Sequence, residues 1–345
     1  MYPELLEIPL VHLTVKSYGL MMVVGFLMAL FVIRSLSRDI TPNPKMITNA
    51  ALYSLIAGVV GARLFFVAHH WPQFQDNWHH VFTIWRGGLE LLGGVTFAIA
   101  VIIAYLFHHK LPVRRYLDIL AIGLMLALAF GRIGCFLNGC CFGKPTEICG
   151  VRFPYYSFSY LSQVYPDPAR NRSEPRLKLP SEFFGYVNSE GHWIETGQGK
   201  LKPYNLLSDK QKQEVKNGIY RALKVHPTQL YSAANAAVLS LILCLFWRWG
   251  ISTEKRSMVR KFTPTPGCTF ALMLILYGIT RFFLEFLRDD NPFEYAWWAI
   301  YKGGTISQNL GIYMIILGVA LMVIFKKAKP DNTTLPAAEQ AKPPA

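Results

Sequence analysis

Phe130-Gly-Arg-Ile-Gly-Cys-Phe-Leu-Asn-Gly-Cys-Cys-Phe-Gly-Lys-Pro-Thr146 ends a long apolar run with an arginine, several glycines, an asparagine and three cysteines. A plain membrane span does not end this way. An arginine at the edge of hydrocarbon costs a few kcal/mol unless it is paired or wetted, so Arg132 reads first as a functional side chain or as the lining of a water-filled cavity. The plainer alternative is an interfacial arginine snorkelling to the headgroups. Glycines let the backbone leave helical geometry, and irregular backbone at this depth is tolerated only when buried in protein or facing a cavity. The stretch is therefore expected to be a re-entrant, site-forming segment.

Outward from it, the 345-residue chain is 52% hydrophobic and 14% aromatic. Seven stretches approach the roughly 20 apolar residues that cross a bilayer: Tyr18 to Arg34, Ile47 to Val67, Leu91 to Phe107, Leu117 to Leu137, Leu230 to Trp249, Gly267 to Phe286 and Ser307 to Phe325. The expected fold is an all-α polytopic membrane protein of about seven transmembrane helices. The net charge of +14 does not point to nucleic acid, because the clustered lysines and arginines sit in short loops between apolar runs. Their bias (Arg38 and Lys45; Lys110, Arg114 and Arg115; Lys255, Arg256, Arg260 and Lys261; Lys326, Lys327 and Lys329) places the N-terminus outside and the C-terminus in the cytoplasm. Met1 to Glu7 lacks the basic start and cleavage site of a signal peptide, so the first span is expected to remain in the mature protein. The expected organisation is spans one to four with the re-entrant segment (1–143), a small external head, partly β (144–225), spans five to seven (226–328), and a disordered cytoplasmic tail (329–345).

With that orientation each unexpected polar residue acquires a depth. Tyr18, Arg63, Arg132, Asn138, Gln308 and the segment His226-Pro-Thr-Gln-Leu-Tyr231 all fall at outer ends of spans, with Asn235 one turn below Tyr231. Tyr277, Arg281 and Glu285 recur every four residues and so form one helical stripe. A transported solute is expected near the midplane, whereas a site within one leaflet suits a lipid headgroup. Guanidinium forks hold phosphate oxygens by two hydrogen bonds at once, so the arginines point to phosphate. Three structural alternatives stand beside this. Arg281 and Glu285 can simply neutralise each other, Arg63 in its Gly-Ala-Arg context can serve close helix packing, and His226 can cap a helix as well as act as a base. The pairs His69-His70, His79-His80 and His108-His109 are too tight for one metal site, and no zinc pattern emerges. Neither a metal nor another cofactor is expected. Cys135, Cys140, Cys141 and Cys149 read as structural thiols or disulfides, with a redox role as the sharper alternative.

Arg63 in a Gly-x-Arg triplet, Gly87-Gly88 with Gly93-Gly94, Gly131-Arg132-Ile-Gly134 with Asn138-Gly139, His226-Pro-Thr-Gln-Leu-Tyr231 and Tyr277-Gly-x-x-Arg281-x-x-x-Glu285-Phe-x-Arg288 occur in an order that resembles prolipoprotein diacylglyceryl transferases. The resemblance runs from about Tyr18 to Phe325, apart from a longer head. It implies a seven-span enzyme of the bacterial inner membrane whose active site faces the outer leaflet. Such an enzyme moves the diacylglyceryl group of phosphatidylglycerol to the lipobox cysteine of a prolipoprotein signal peptide, with release of glycerol phosphate. By the same resemblance Arg132 and Arg281 bind and polarise the phosphate, while Glu285, Tyr277, Tyr18 and Asn138 shape the pocket. Arg132, Arg281, Glu285 and Tyr277 are thus the catalytic candidates; Tyr18, Arg63, Asn138, His226, Tyr231 and Gln308 are the substrate-binding candidates. The chain departs from the family pattern at Leu92, where a histidine is common, at Cys135 (asparagine), Cys140 (glutamate) and Ser232 (glutamate). The thiol's base is then open among Glu90, His226 and a water beside Arg281. Two rival readings are a non-catalytic relative that binds lipid or lipoprotein, and a membrane thiol oxidoreductase using Cys140 and Cys141.

Overall fold

In a computed structural model, which describes residues 4–8, 13–41, 43, 45–75, 78–83, 88, 90–188, 192–255 and 264–328, the apolar runs are helices. The expected tail 329–345, Trp85 to Gly87, Leu89, Arg256, Arg260, Lys261 and the first three residues lie outside the described residues. A short antiparallel pair, β1 (Glu4–Ile8) and β2 (Leu13–Lys16), leads directly into α1 (Ser17–Ser37). The long helices that follow are α2 (Lys45–His69), α3 (Leu91–His108) and α4 (Val113–Asn138). An insert comes next, with α5 (Phe158–Val164), β3 (Phe184–Val187), β4 (Trp193–Glu195), β5 (Lys200–Leu201) and α6 (Asp209–Lys216). The chain closes with α7 (Thr228–Lys255), α8 (Cys268–Glu285) and α9 (Ile306–Lys327).

Six helices among the described residues are long and apolar enough to cross a membrane: α1, α2, α4, α7, α8 and α9. The third expected span is α3, 18 residues long, whose apolar stretch includes Gly93–His108. The chain is a multi-pass, mostly helical membrane protein. Its outward-facing side chains agree with that: Phe31 is 70% exposed, Leu241 60% and Leu27 58%, a cost in water that lipid removes.

The chain divides into two units, and α1, α4, α7, α8 and α9 contribute residues to both. The unit of residues 27–124, 243–271 and 321–345 contains the α2–α3 pair. A Cβ at Gly61 would meet the Gly93 carbonyl at 2.6 Å, and one at Gly93 would meet the Gly61 carbonyl at 2.5 Å, so these glycines let two backbones touch. In the same unit Asp118 caps the start of α8, accepting from Gly267 N at 2.7 Å and Phe270 N at 2.8 Å.

The other unit, residues 1–26, 125–242 and 272–320, holds the insert and the outer candidates Tyr18, Arg132, Asn138, His226, Tyr231, Tyr277, Arg281, Glu285 and Gln308. The insert is partly β as expected, with sheet order β4-β3-β5, both pairings antiparallel. Its own apolar core gathers Tyr160, Val164, Phe183, Leu201, Leu207 and Val215. Burial pushes the phenols of Tyr155 and Tyr160 up, and both hydroxyls donate at 2.8 Å, to the carbonyls of Lys202 and Tyr220. Ser208 and Gln211 form a capping box that opens α6.

Candidate active site

The first half of the segment 130–146 is helix, where irregular backbone was expected. α4 stays helical to Asn138, so Gly131 and Gly134 do not break it. Their use is packing: a Cβ at Gly134 would stand 3.2 Å from the Tyr18 ring and 3.2 Å from Met21, and one at Gly131 would stand 3.4 Å from Met22 sulfur. Irregular backbone begins at Gly139, whose φ of +74° is the left-handed value that glycine adopts freely at a helix end. Beyond it the chain is pinned on two sides. Gly143 N donates to His226 O at 3.0 Å, His226 N to Lys144 O at 3.0 Å, and Lys144 N to Leu287 O at 2.8 Å. Only glycine fits at 143, because a Cβ there would lie 2.7 Å from His226 O and 2.8 Å from Leu287 O. The first turn of α7 fixes the two carbonyls before this point: Gln229 Nε2 donates to Cys140 O at 2.6 Å and Thr228 Oγ1 to Cys141 O at 2.7 Å.

Beside this pinned turn α4 presents Arg132. It is half-buried, with Nη1 3.6 Å from Cys141 Sγ, and it has no carboxylate partner among the described residues. It lies within electrostatic reach of Tyr277 and Arg288, and Arg281 lies within reach of Arg132 and Tyr277. Tyr18 is within reach of Arg132 and of the three cysteines. The stripe on α8 is thus brought to Arg132. Arg281 Nη1 is 2.5 Å from Glu285 Oε2, a charge contact without hydrogen-bond alignment, and Nη2 donates to Ser307 Oγ at 2.7 Å. Glu285 is 2% exposed and accepts from Asn291 Nδ2 as well. Burial opposes the charge of Arg288, but both oxygens of Asp290, at 2.8 and 2.6 Å, hold its guanidinium above the ordinary range. The arrangement is a cluster of three arginines, with two neutralised and Arg132 not.

The sequence profile of prolipoprotein diacylglyceryl transferases matches residues 3–324. The chain belongs to this family. Relatives named phosphatidylglycerol–prolipoprotein diacylglyceryl transferase include that of Salmonella newport, 30% identical over 91% of this chain and 90% of its own. That of Paraburkholderia phymatum is 29% identical over 90% and 89%, and that of Streptococcus uberis 26% identical over 90% and 91%. As a diacylglyceryl transferase family member the chain is an enzyme of the transferase class, embedded in a membrane.

Not every candidate faces this cluster. Arg63 belongs to the other unit, is 7% exposed, and has its guanidinium filled by three carbonyls: Val81 at 2.8 Å, Gly88 at 2.9 Å and His80 at 2.5 Å. It also stacks near Phe66 and Phe74, at 5.6 and 5.4 Å. The guanidinium thus serves these three carbonyls, a structural use different from the close helix packing that its Gly-Ala-Arg context suggests. In that unit too, Glu90 is engaged by His69 Nδ1 at 2.8 Å. Gln308, 4% exposed, forms a capping box with Thr305 at the start of α9. His226 caps nothing through Nδ1, which is buried without a partner among the described residues, and its ring centroid stands 6.2 Å from that of Tyr231. Asn138 contacts Cys140, and Asn235 Nδ2 donates to Thr280 Oγ1 at 3.0 Å.

Sequence reasoning missed the polar shell around α8's end in this transferase relative. Asn291 and Ser307 join Arg281 and Glu285, with Asn291 Nδ2 3.2 Å from Ser307 Oγ. More extensive is the buried Asp289, 3% exposed, which the insert holds with three arginines. Arg170 Nε is 3.5 Å from Oδ1, Arg172 Nη1 is 3.5 Å from Oδ2, and Arg176 forks onto both oxygens, with Nη2 to Oδ1 at 3.2 Å. Burial and then Arg176 press Arg172 below the usual guanidinium range, while Asp289 supports its charge. Arg170 also donates to the carbonyls of Arg288, at 3.1 Å, and Asn291, and stacks on Phe293 at 4.8 Å. The run Arg170-x-Arg172-x-x-x-Arg176 is plain in the sequence, but nothing local ties it to Asp289, and the neighbouring Asp290 pairs with Arg288 instead.

Proposed function

We propose that this chain transfers the diacylglyceryl group of phosphatidylglycerol to the lipobox cysteine of a prolipoprotein signal peptide, leaving a thioether and releasing glycerol phosphate. The observation that carries the reading is Arg132, a half-buried guanidinium without a carboxylate partner among the described residues, beside Tyr277 and Arg281. A cation so placed calls for an anion, and the family's lipid substrate supplies a phosphodiester.

The phosphate docks against Arg132 and Arg281, with Glu285 fixing Arg281 from the far side. Tyr277, Tyr18 and Asn138 line the pocket, and His226 and Tyr231 border it. The peptide sulfur attacks the glycerol carbon that bears the phosphate ester; the carbon–sulfur bond forms, the carbon–oxygen bond breaks, and its electron pair leaves on phosphate oxygen. Fixed guanidinium charge lowers the barrier because it is already aimed where negative charge grows. Glu90 is engaged by His69, whereas His226 has an unengaged buried nitrogen, which favours His226 as acceptor of the thiol proton. Arg63 and Gln308 act by holding loops and helix ends. The test is intact mass of a lipobox peptide incubated with the purified protein and phosphatidylglycerol. The cysteine is expected to gain one diacylglyceryl group; bound lipid without mass gain would point to a binding relative instead.

The site opens to the outer leaflet of the bacterial inner membrane, with the insert outside and the C-terminus in the cytoplasm. Lysine and arginine in the opposing loops support this orientation. In a Cys149→Ser background, a cysteine introduced at Asn188 is then labelled by an impermeant thiol reagent in spheroplasts, while a tag at Ala345 stays protected until the membrane is opened. The reverse pattern would remove the single-leaflet site.

A further inference from the structure

Three thiols meet at the end of α4. The sulfurs of Cys135, Cys140 and Cys141 all lie within 4.8 Å of one another, Cys135 buried and the other two half-buried. All are free thiols, as are Cys149, Cys244 and Cys268. The backbone that brings them together is held rather than loose. Gly139 turns left-handed, Cys140 N donates back to Cys135 O at 3.2 Å, and Cys141 itself is left-handed at φ +59°. That conformation is uncommon for a side-chain-bearing residue and persists only where its surroundings impose it. Here Thr228 and Gln229 impose it through the two cysteine carbonyls. Side chains of residues 140 and 141 normally diverge; this twist returns both sulfurs to the one on the helix.

We propose that Cys135, Cys140 and Cys141 bind one divalent soft metal ion of the zinc and cadmium class. Metal–sulfur bonds of about 2.3 Å put neighbouring thiolates about 3.8 Å apart around a tetrahedral ion, so the cluster closes by small side-chain rotations. Soft thiolates select such ions over magnesium or calcium. Binding converts three thiols to thiolates and releases three protons. Three negative charges and a divalent cation leave one net negative charge, and Arg132, 3.6 Å from Cys141 Sγ, balances it. A monovalent ion would leave two negative charges against one guanidinium, which is why the site takes a divalent one. Three protein ligands leave the fourth position to water or another small ligand. Spacing alone hides this site, since positions 135, 140 and 141 match no Cys-x-x-Cys pattern. The site adjoins the candidate phosphate cluster through Arg132, but its test reads metal binding and needs no transfer.

Full-length reduced protein in detergent is titrated with Cd(II) while the ultraviolet sulfur-to-metal charge-transfer band is followed. One equivalent is expected to saturate the band, and Zn(II) to compete for the same site. Cys135→Ser, Cys140→Ser and Cys141→Ser should each weaken binding at least tenfold, whereas Cys149→Ser and Cys244→Ser should not. Cd(II) should also raise the thermal midpoint of the unaltered protein, which keeps the test usable if a serine variant fails to fold. The proposal is overturned by an absent band, by a band equal in all three cluster variants, or by alkylation showing two of these sulfurs in a disulfide under the same reducing conditions.

Discussion

Arg132→Ala is expected to slow diacylglyceryl transfer to a lipobox peptide about 10²–10³-fold, the usual loss when one preorganised charge-stabilising donor is removed. The rate of mass gain on the peptide measures it. Arg132→Lys should recover part of the rate, because an ammonium keeps the charge but not the two-pronged grip on phosphate. Thermal stability should change little, since the substitution removes a 3.6 Å approach to Cys141 sulfur and orphans no carboxylate. That is what makes Arg132 the better probe. Arg281→Ala would leave the Glu285 side chain, with 0% exposure, as a buried charge, and loss of rate there would be mixed with loss of fold. An Arg132→Ala protein that transfers normally would remove the phosphate from this arginine.

The largest expected effect on stability is that of Asp289→Ala. The Asp289 side chain is 4% exposed, and it faces Arg170 at 6%, Arg172 at 12% and Arg176 at 29%. Removing this carboxylate leaves three cations side by side, with Arg172 still 3.9 Å from Asp167. Breaking a buried pair from one end typically costs about 3–5 kcal/mol, because the remaining charge is uncompensated. Thermal or denaturant unfolding in detergent should show a drop of that order, with Asp289→Asn losing less because an amide still accepts hydrogen bonds. Replacing Arg172 and Arg176 together in the Asp289→Ala background should restore part of the loss. An unchanged midpoint in Asp289→Ala would mean that the clamp adds nothing to stability.

The helices were legible because a bilayer imposes a length on any apolar run. The run Tyr18 to Arg34 became Ser17–Ser37, and Gly267 to Phe286 became Cys268–Glu285. The stripe Tyr277, Arg281 and Glu285 was legible for a similar reason, since helical period alone puts these residues on one face. What misled was glycine. It serves both to bend a backbone and to let two backbones approach, and sequence does not say which; Gly139 bends, while Gly131 and Gly134 admit α1. Arg63 misled likewise, because an arginine near a span's end can face a ligand or a ring of carbonyls, and its partners lie 17 to 25 residues away in a loop. The Asp289 clamp was invisible because no local pattern joins residues 113 positions apart.

The clamp also bears on how the chain is made. Arg176 is synthesised 113 residues ahead of Asp289. At about 5–20 residues per second the interval is roughly 6–23 s, far longer than a small compact unit needs to collapse. For that time the insert carries three arginines whose partner does not yet exist, and α7 and α8 must both enter the bilayer before it arrives. Completion of the clamp on the insert therefore follows synthesis of α7 and α8 and precedes that of α9.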